Sequence, residues 1–309
     1  MIRVLALLGL LIISFSAVFV RLASVSPVTA TFFRALYAVP ILIPIVALRR
    51  ARDRRSKAEH RLAFASGLIL AADLTLWHES IALVGAGLGT VIANVQVVFV
   101  AIAAWLIHGE RPAPRTIWMI GLVLGGVVLT SGLARHDAYG SNPVLGAAVG
   151  LLAGVCYAAF LLVFRASNRS LAPVWGPLFE STIGTVAGAL VCALADRRFT
   201  LMPPASSQIW LVLLAVCSQV IGWGLISIAL PRLPAVETSV MLLLQPVITV
   251  MWGVLIFSER LSPLQWIGSA VVLAGVTSVG RHQSAVTSPG RQSQSPVRVT
   301  SRQPPAASG

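Results

Sequence analysis

Long apolar stretches and short polar breaks alternate along residues 3–280. A helix needs about 20 mostly apolar residues to cross a hydrocarbon core of about 30 Å. The breaks carry prolines, glycines or charges, as in Ser26-Pro27 and Gly85-Ala86-Gly87, and such residues end helices. The pattern predicts ten membrane-spanning helices, over residues 3–20, 29–48, 62–83, 88–107, 115–133, 144–164, 175–195, 208–230, 236–257 and 263–280.

The composition also indicates an all-α membrane protein. Of the 309 residues, 57% are hydrophobic and 11% are charged, and the mean hydropathy is +0.87. Soluble domains carry about 25% charged residues. The cysteines are odd in number and all lie in apolar stretches (Cys156, Cys192 and Cys217), so we expect no disulfide framework.

The basic residues predict the orientation of the chain in the membrane. If the N-terminus is cytoplasmic, 17 of the 23 Lys and Arg residues fall on the cytoplasmic side and 5 on the other, with Arg34 inside a span. Cytoplasmic loops are enriched in Lys and Arg, so both termini are expected in the cytoplasm. The net charge of +13 is then a signal of topology, and no nucleic-acid partner is expected. The apolar run 4–20 is interpreted as a first span and not as a cleaved signal peptide.

The two halves of the apolar region repeat each other. Four matches share an offset of 149 residues: Gln96 with Gln245, Glu110 with Glu259, Pro114 with Pro263 and Gly126 with Gly275. The tetrapeptide "SIAL" also occurs twice, at 80–83 and 227–230. Each half contains an odd number of spans, so the second half must enter the membrane in the opposite orientation. We therefore expect two inverted five-helix repeats, residues 1–135 and 136–280, followed by a disordered cytoplasmic tail at 281–309.

Three segments resemble the EamA-type permeases of the drug/metabolite transporter superfamily. They are "FFRALYAVPIL" in the second span, "SIALVGAGLGTVIANVQVVFVAIAAWLIHGERP" in the first half and "SIALPRLPAVETSVMLLLQPVITVMWGVLIFSERLSP" in the second. The resemblance implies a ten-helix fold in which four helices of each half line a cavity and the fifth lies outside. It implies transport of small organic solutes, often by efflux, in the plasma membrane (the inner membrane of a bacterium).

A carboxylate near the middle of the third span is the first candidate for a functional residue. Asp73, Trp77 and Ser80 are spaced i, i+4, i+7 and share one helix face. A lone acid at this depth costs about 2.5–3.5 kcal/mol, so Asp73 should face a cavity or a partner. His78 points away from this face and is interpreted as polar packing more readily than as a proton relay.

Three further charges lie inside the predicted spans. Arg34 and Glu79 are at similar distances from the outer ends of their spans, so we expect Arg34 to face Glu79 or, by reaching inward, Asp73. Such a pair either orients helices as a buried ion pair or lines the cavity and binds a charged solute. Glu180 aligns with Arg34 between the halves, and it either couples transport to protons or pairs with Arg165 or Arg169.

Amide and aromatic side chains complete the candidate set. The proline after Gln245 is expected to kink the ninth span and to free the carbonyl of Leu242. Amides inside spans either contact a ligand or join helices. Trp77 and Trp223 suit flat or cationic solutes. The candidate solute-binding residues are therefore Arg34, Asp73, Trp77, Asn94, Gln96, Gln219, Trp223 and Gln245.

The absence of two sequence motifs narrows the possible functions of the protein. The sequence has no Gly-x-x-x-x-Gly-Lys-Ser/Thr motif for ATP and no His-Glu-x-x-His motif, so a secondary transporter is favoured over an ATPase or an intramembrane enzyme. A channel or a non-transporting scaffold is the alternative. We expect efflux by alternating access, coupled to protons through Asp73, Glu79 or Glu180. The expected partners are a small-molecule solute and the bilayer; a homodimer is compatible with this fold, and no cofactor, metal or catalytic residue is expected.

Overall fold

The computed structural model describes residues 2–48, 53–108, 114–130, 139–167, 174–229 and 244–287. All regular structure in these ranges is helical. The helices are α1 (Ile2–Ser14), α2 (Ser16–Ala23), α3 (Pro27–Ala47), α4 (Lys57–Val84), α5 (Ala86–Ala93), α6 (Gln96–His108), α7 (Pro114–Thr130), α8 (Pro143–Ala166), α9 (Trp175–Ala193), α10 (Ala205–Leu213), the π-helix π1 (Leu214–Gly222), α11 (Trp223–Ala229), α12 (Leu244–Phe257) and α13 (Pro263–Thr287).

Six helical segments in the described ranges are long and apolar enough to cross a membrane, judged by length and composition. They are Ile2–Ala23, Pro27–Ala47, Lys57–Val84, Pro143–Ala166, Trp175–Ala193 and Ala205–Ile228. Shorter apolar helices fall at the other four predicted spans, at Ala86–Val100, Ile117–Leu129, Gln245–Phe257 and Pro263–Gly275. The expectation of an all-helical membrane protein is confirmed, while the number of ten spans stays a prediction.

Local sequence signals set the starts of the long helices. The Ser26 hydroxyl accepts a hydrogen bond from the Thr29 amide at 3.2 Å, and Pro27 follows as the first residue of α3. Ser56 and Glu59 form a reciprocal capping box at the start of α4. These side chains satisfy amides that have no partner within the helix, which fixes where each helix begins.

Helix α4 crosses the centre of the bundle and packs along α8 and α9. We use α4 to name the two ends of the bundle: the Arg55 end, where α4 begins, and the Glu259 end, where it stops at Val84. At the α4–α9 contact the Cα atoms come close, because a Cβ added at Gly67 would lie 2.8 Å from Gly184 Cα and 2.7 Å from the Thr185 amide nitrogen. Small residues allow such close packing between helices in membranes.

Gly67→Ala is therefore expected to destabilise the protein by about 1–3 kcal/mol, the usual cost of overfilling a tight contact. Gly125→Ala is the matched control, because Gly125 lies on α7 with nothing within 4 Å of its added Cβ. Alanine favours a helix over glycine, so the control should be neutral or slightly stabilising. Thermal unfolding in detergent measures both variants, and equal melting temperatures for the two would contradict the close α4–α9 contact.

Several helices are interrupted where the sequence predicts continuous spans. The first predicted span breaks at Phe15 between α1 and α2, and the fourth breaks at Asn94 and Val95 between α5 and α6. The eighth contains nine residues of π-helix, Leu214–Gly222, a form that often marks functional sites. No proline or glycine occupies the first two breaks, which is why the breaker pattern does not reveal them.

Two further expectations, the kink in the ninth span and the C-terminal tail, concern residues near the ends of the described ranges. Helix α12 is described from Leu244, so Pro246 lies in its first described turn, and the expected kink at Leu242 lies outside the described residues. Helix α13 continues to Thr287, so residues 281–287 are helical and the expectation of a tail starting at 281 is wrong there. Residues 288–309 lie outside the described part of the chain.

Candidate functional site

A cavity lies in the middle of the bundle, between helices from both ends of the sequence. The cavity has a volume of about 70 Å3, several times what one water molecule needs. Its lining residues are Ile13, Ser16, Arg34, Leu70, Asp73, Leu74, Trp77, Thr90, Ala93, Asn94, Gln96, Tyr157, Trp223 and Gln245.

The candidate solute-binding residues meet at this cavity with one exception. Arg34, Asp73, Trp77, Asn94, Gln96, Trp223 and Gln245 all line it. Gln219 lies behind Arg34, whose guanidinium it contacts directly. The structure thus brings together residues from α3, α4, α6, α11 and α12, although solute binding by them stays a prediction.

Arg34 is buried, with 2% of its surface exposed, and it is held by neutral partners. Its Nε donates to Gln219 Oε1 at 3.0 Å and its Nη1 donates to Ser16 Oγ at 3.1 Å. Gln219 is fixed in turn, since its Nε2 donates to Thr182 Oγ1 at 3.1 Å. Among the described residues no carboxylate forms an ion pair with Arg34. The guanidinium is therefore oriented but not neutralised.

Asp73 places a carboxyl group in the same cavity. It is 5% exposed and has neither a hydrogen bond nor an ion pair with any described residue. A buried carboxylate without partners is costly. Asp73 and Arg34 thus place an acidic and a basic side chain at one small space without a direct hydrogen bond or ion pair between them.

Of the two acidic residues that Arg34 was expected to face, Glu79 is wrong, whereas Asp73 lines the same cavity as Arg34. Glu79 instead accepts a hydrogen bond from Arg198 Nη2 at 3.1 Å, and Arg198 is 67% exposed. Positions 73 and 79 are six residues apart, which turns Glu79 about 120° away from Asp73 around an ideal helix. Glu79 therefore lies outside the cavity lining, on the side of α4 that faces Arg198.

The other coupling candidate, Glu180, also lies away from the cavity lining. Arg55 donates from Nη1 and Nη2 to its two carboxylate oxygens, each at 2.9 Å, and His60 Nδ1 is within hydrogen-bond distance. The expected partner Arg165 is not the one found, and Arg169 lies outside the described residues. The same arginine binds the carboxylate of Asp53, and this hydrogen bond lowers the pKa of Asp53 below its ordinary value.

His78 is buried outside the cavity lining. Its Nδ1 lies 3.0 Å from Thr31 Oγ1 and 3.3 Å from the Pro27 carbonyl oxygen, and one ring nitrogen, Nε2, has no hydrogen-bond partner in the described part of the chain. The interpretation of His78 as polar packing agrees with the contacts on Nδ1.

Comparison with known proteins identifies the family, because a family model matches nearly all of the helical part of the chain. The model of the EamA-like transporter family matches residues 1–132 and again residues 144–281. The chain belongs to the EamA-like transporter family. It is thus a multi-pass membrane protein, and the resemblance seen in the sequence is confirmed.

Relatives of this EamA-like protein carry transporter names, which indicates a transporter rather than an enzyme. It is 25% identical over 260 residues to the uncharacterized transporter YwfM of Bacillus subtilis, covering 82% of this chain and 84% of that one. It is 25% identical over 240 residues to the threonine/homoserine exporter RhtA of Salmonella typhimurium, covering 77% of each. Another protein, whose crystal structure is known, has the same fold as this chain. The two are 17% identical, with a TM-score of 0.61 and coverage of 93% of this chain and 99% of the other.

Half of the cavity-lining residues of this EamA-like protein were not singled out by the sequence, and Ser16 and Tyr157 are two of these. Ser16 anchors Arg34, and Tyr157 on α8 completes an aromatic wall. The Tyr157 ring stacks on Phe160 at 5.7 Å between centroids and meets Trp223 edge-on at 6.3 Å. A tyrosine in an apolar span, one of only three in the chain, was the available signal.

Proposed function

We propose that this EamA-like transporter exports small zwitterionic solutes of the amino-acid class by alternating access. The observation that carries the proposal is the pair of unpaired opposite charges, Arg34 and Asp73, facing one small buried cavity. A zwitterion would neutralise both charges at once, whereas a singly charged solute would leave one of them buried and unpaired.

The chemistry of the lining matches the two ends of an amino acid. The planar guanidinium of Arg34 suits a carboxylate, which it binds through charge-assisted hydrogen bonds. The Asp73 carboxylate would accept a hydrogen bond from the ammonium group of the solute. Gln96 Oε1 would accept another, because it is buried without a hydrogen-bond partner among the described residues. The rings of Trp77, Tyr157 and Trp223 would contact the remainder of the solute.

The relationship to RhtA supports the same class of solute. RhtA is named a threonine/homoserine exporter, and the match to it covers 77% of this chain. Identity of 25% supports the class and the outward direction rather than one particular amino acid.

Alternating access rests on two inverted five-helix halves, residues 1–135 and 136–280, with both termini in the cytoplasm of a plasma membrane. An exchange of the halves maps α3 onto α9, α5 onto α12 and α7 onto α13. Each of these pairs is in contact, as expected for equivalent helices that lie beside a two-fold axis. The family model also matches twice, once in each half. Rocking of the halves would expose the central cavity to one side at a time.

Proton coupling, if present, would run through Asp73. A coupling carboxylate must bind the solute and the proton alternately, so it must be unpaired and reach the cavity. Asp73 meets both conditions. Glu79 and Glu180 are each held by an arginine outside the cavity lining, which leaves neither available to the solute.

Competition between charge analogues tests the proposed solute class. Purified protein is reconstituted into liposomes that are loaded with threonine. The exchange of labelled threonine is then measured in the presence of unlabelled competitors. Threonine amide lacks the carboxylate, and the corresponding hydroxy acid lacks the ammonium. We expect each analogue to compete at least about tenfold less well than threonine or homoserine, since each loses one charge-assisted contact. Equal competition by an analogue and the zwitterion would contradict the proposal.

A further inference from the structure

We propose that Glu259 and Arg21 are positioning residues for transport, which lock the Glu259 end of the bundle closed and transmit its opening to the cavity. The inference rests on the proposed function, because it assigns a role in the alternating-access cycle. We call this arrangement the Glu259 lock: the Glu259 carboxylate and the three groups that it joins, which are the Arg21 guanidinium and the amides of Ala86 and Gly87.

The lock joins three helices through one buried carboxylate. The Glu259 side chain is fully buried just beyond α12, and it accepts hydrogen bonds from the Ala86 amide at 2.7 Å and the Gly87 amide at 3.3 Å. These amides are the first of α5, where the helix dipole favours a negative charge. Arg21, in the last turn of α2, forms an ion pair with the same carboxylate.

The backbone around the lock is adapted to it. Gly85 has a φ of +90°, a conformation that favours glycine, and a Cβ there would lie 2.6 Å from Glu259 Oε1. The Arg21 guanidinium also lies 4.1 Å from the centroid of the Phe257 ring, over the last residue of α12. The guanidinium is thus held by the carboxylate and by an aromatic face.

The same three helices reach the cavity at their other ends. Ser16, the first residue of α2, holds Arg34, and Asn94 follows the last residue of α5. Gln245 is the second residue of α12 and lines the cavity. Because α2 and α5 have eight residues each, they span only about 12 Å, and both stop at helix breaks beside the cavity. Movement at the lock is therefore carried to the cavity by short, rigid elements.

Opening of this end must break the lock as a unit. A released carboxylate would be buried with unpaired amides unless water enters, so the lock has two states, closed and hydrated. Arg198, near the same end, pairs with both Glu79 and Asp196, but its side chain is exposed and these ion pairs contribute little. At the Arg55 end, Arg55 joins the start of α4 to Glu180 of α9, which gives the bundle a partly buried ion pair at its opposite end.

A labelling experiment tests the lock without any solute. The reporter is Ala93→Cys in the cavity, in a chain whose native cysteines are replaced by serine, treated with a membrane-impermeant maleimide in right-side-out and inside-out vesicles. In Glu259→Gln the reporter should react about tenfold faster from the side of the Glu259 end and no faster from the other side, since one charge-assisted contact is lost. Glu79→Gln, at the same end but outside the lock, is the control and should leave both rates unchanged.

Transport kinetics provide a second test of the Glu259 lock. Closure must be remade in every cycle, so Glu259→Gln and Arg21→Gln should lower kcat for threonine exchange while leaving KM within about twofold, the mark of a conformational step. Arg21→Gln keeps the hydrogen bonds of Glu259 with the Ala86 and Gly87 amides. It replaces Glu259→Gln in both experiments if that variant folds poorly. Unchanged labelling in both variants, or labelling raised equally from both sides, would overturn the inference. If no amino acid is transported but the labelling shift occurs, the proposed solute class fails and the lock stands.

Discussion

Asp73→Asn is expected to lower the rate of amino-acid exchange by at least about tenfold, because the solute ammonium loses a charge-assisted hydrogen bond in a buried site. Asparagine has the same shape and removes a buried carboxylate that has no hydrogen bond or ion pair among the described residues, so the melting temperature should stay the same or rise. If transport is coupled to protons, solute-dependent acidification or alkalinisation of the vesicle lumen should also disappear.

The matched control for this variant is Glu79→Gln. It makes the same chemical change on the same helix, but at a residue paired with Arg198 outside the cavity lining. Exposed ion pairs contribute little, so transport and stability should both stay close to wild type. Equal loss of exchange in the two variants would show that charge on α4, and not the cavity position of Asp73, matters. Full activity in Asp73→Asn would remove Asp73 from the binding site.

Gln219→Glu is expected to abolish recognition of the solute carboxylate without harming the fold. The new carboxylate would lie where Gln219 Oε1 now accepts from Arg34 Nε at 3.0 Å. It would neutralise the guanidinium, and the free charge that the solute carboxylate needs would be lost. We expect the KM for threonine to rise by at least about tenfold, equivalent to one lost charge-assisted contact. The new ion pair with Arg34 should offset the loss of the hydrogen bond that Gln219 Nε2 now donates to Thr182, so the melting temperature should stay close to wild type.

Arg34→Lys provides the companion measurement. Lysine keeps the charge but lacks the planar fork, so it cannot reproduce the two fixed contacts of Arg34 with Gln219 and Ser16. Its KM should rise less than that of Gln219→Glu, because a positive charge remains in the cavity. A Gln219→Glu variant with wild-type KM would show that the guanidinium holds helices together and does not bind solute.

The sequence located the cavity residues because burying charge in a membrane is costly. Asp73, Arg34 and the amides Asn94, Gln96 and Gln245 stand out in apolar helices, and such groups must meet a cavity or a partner. Helix periodicity put Asp73 and Trp77 on one face, and both line the cavity. Which residues share one space could be predicted in this way, while their roles in binding stay predictions.

Pairings between distant segments could not be predicted in the same way. Depth in the membrane suggested Glu79 or Asp73 for Arg34, but depth leaves the direction around the helix open. Asp73 shares the cavity with Arg34, Glu79 does not, and the hydrogen-bond partners of Arg34 are Ser16 and Gln219. Arg55 is one of seven cations at 49–61, and nothing in that run marks the one that binds Glu180. The Glu259 lock depends on how α5 starts against the segment that follows α12, which is decided by tertiary packing.

Counterflow of labelled threonine into liposomes that contain purified wild-type protein tests the central claim most directly. With unlabelled threonine trapped inside, we predict that labelled threonine accumulates transiently above its external concentration and that the initial rate saturates with concentration, as a carrier with one central site requires. Flux that never saturates and shows no transient accumulation would indicate a channel. The absence of counterflow for threonine, homoserine and the other amino acids would contradict an amino-acid exporter.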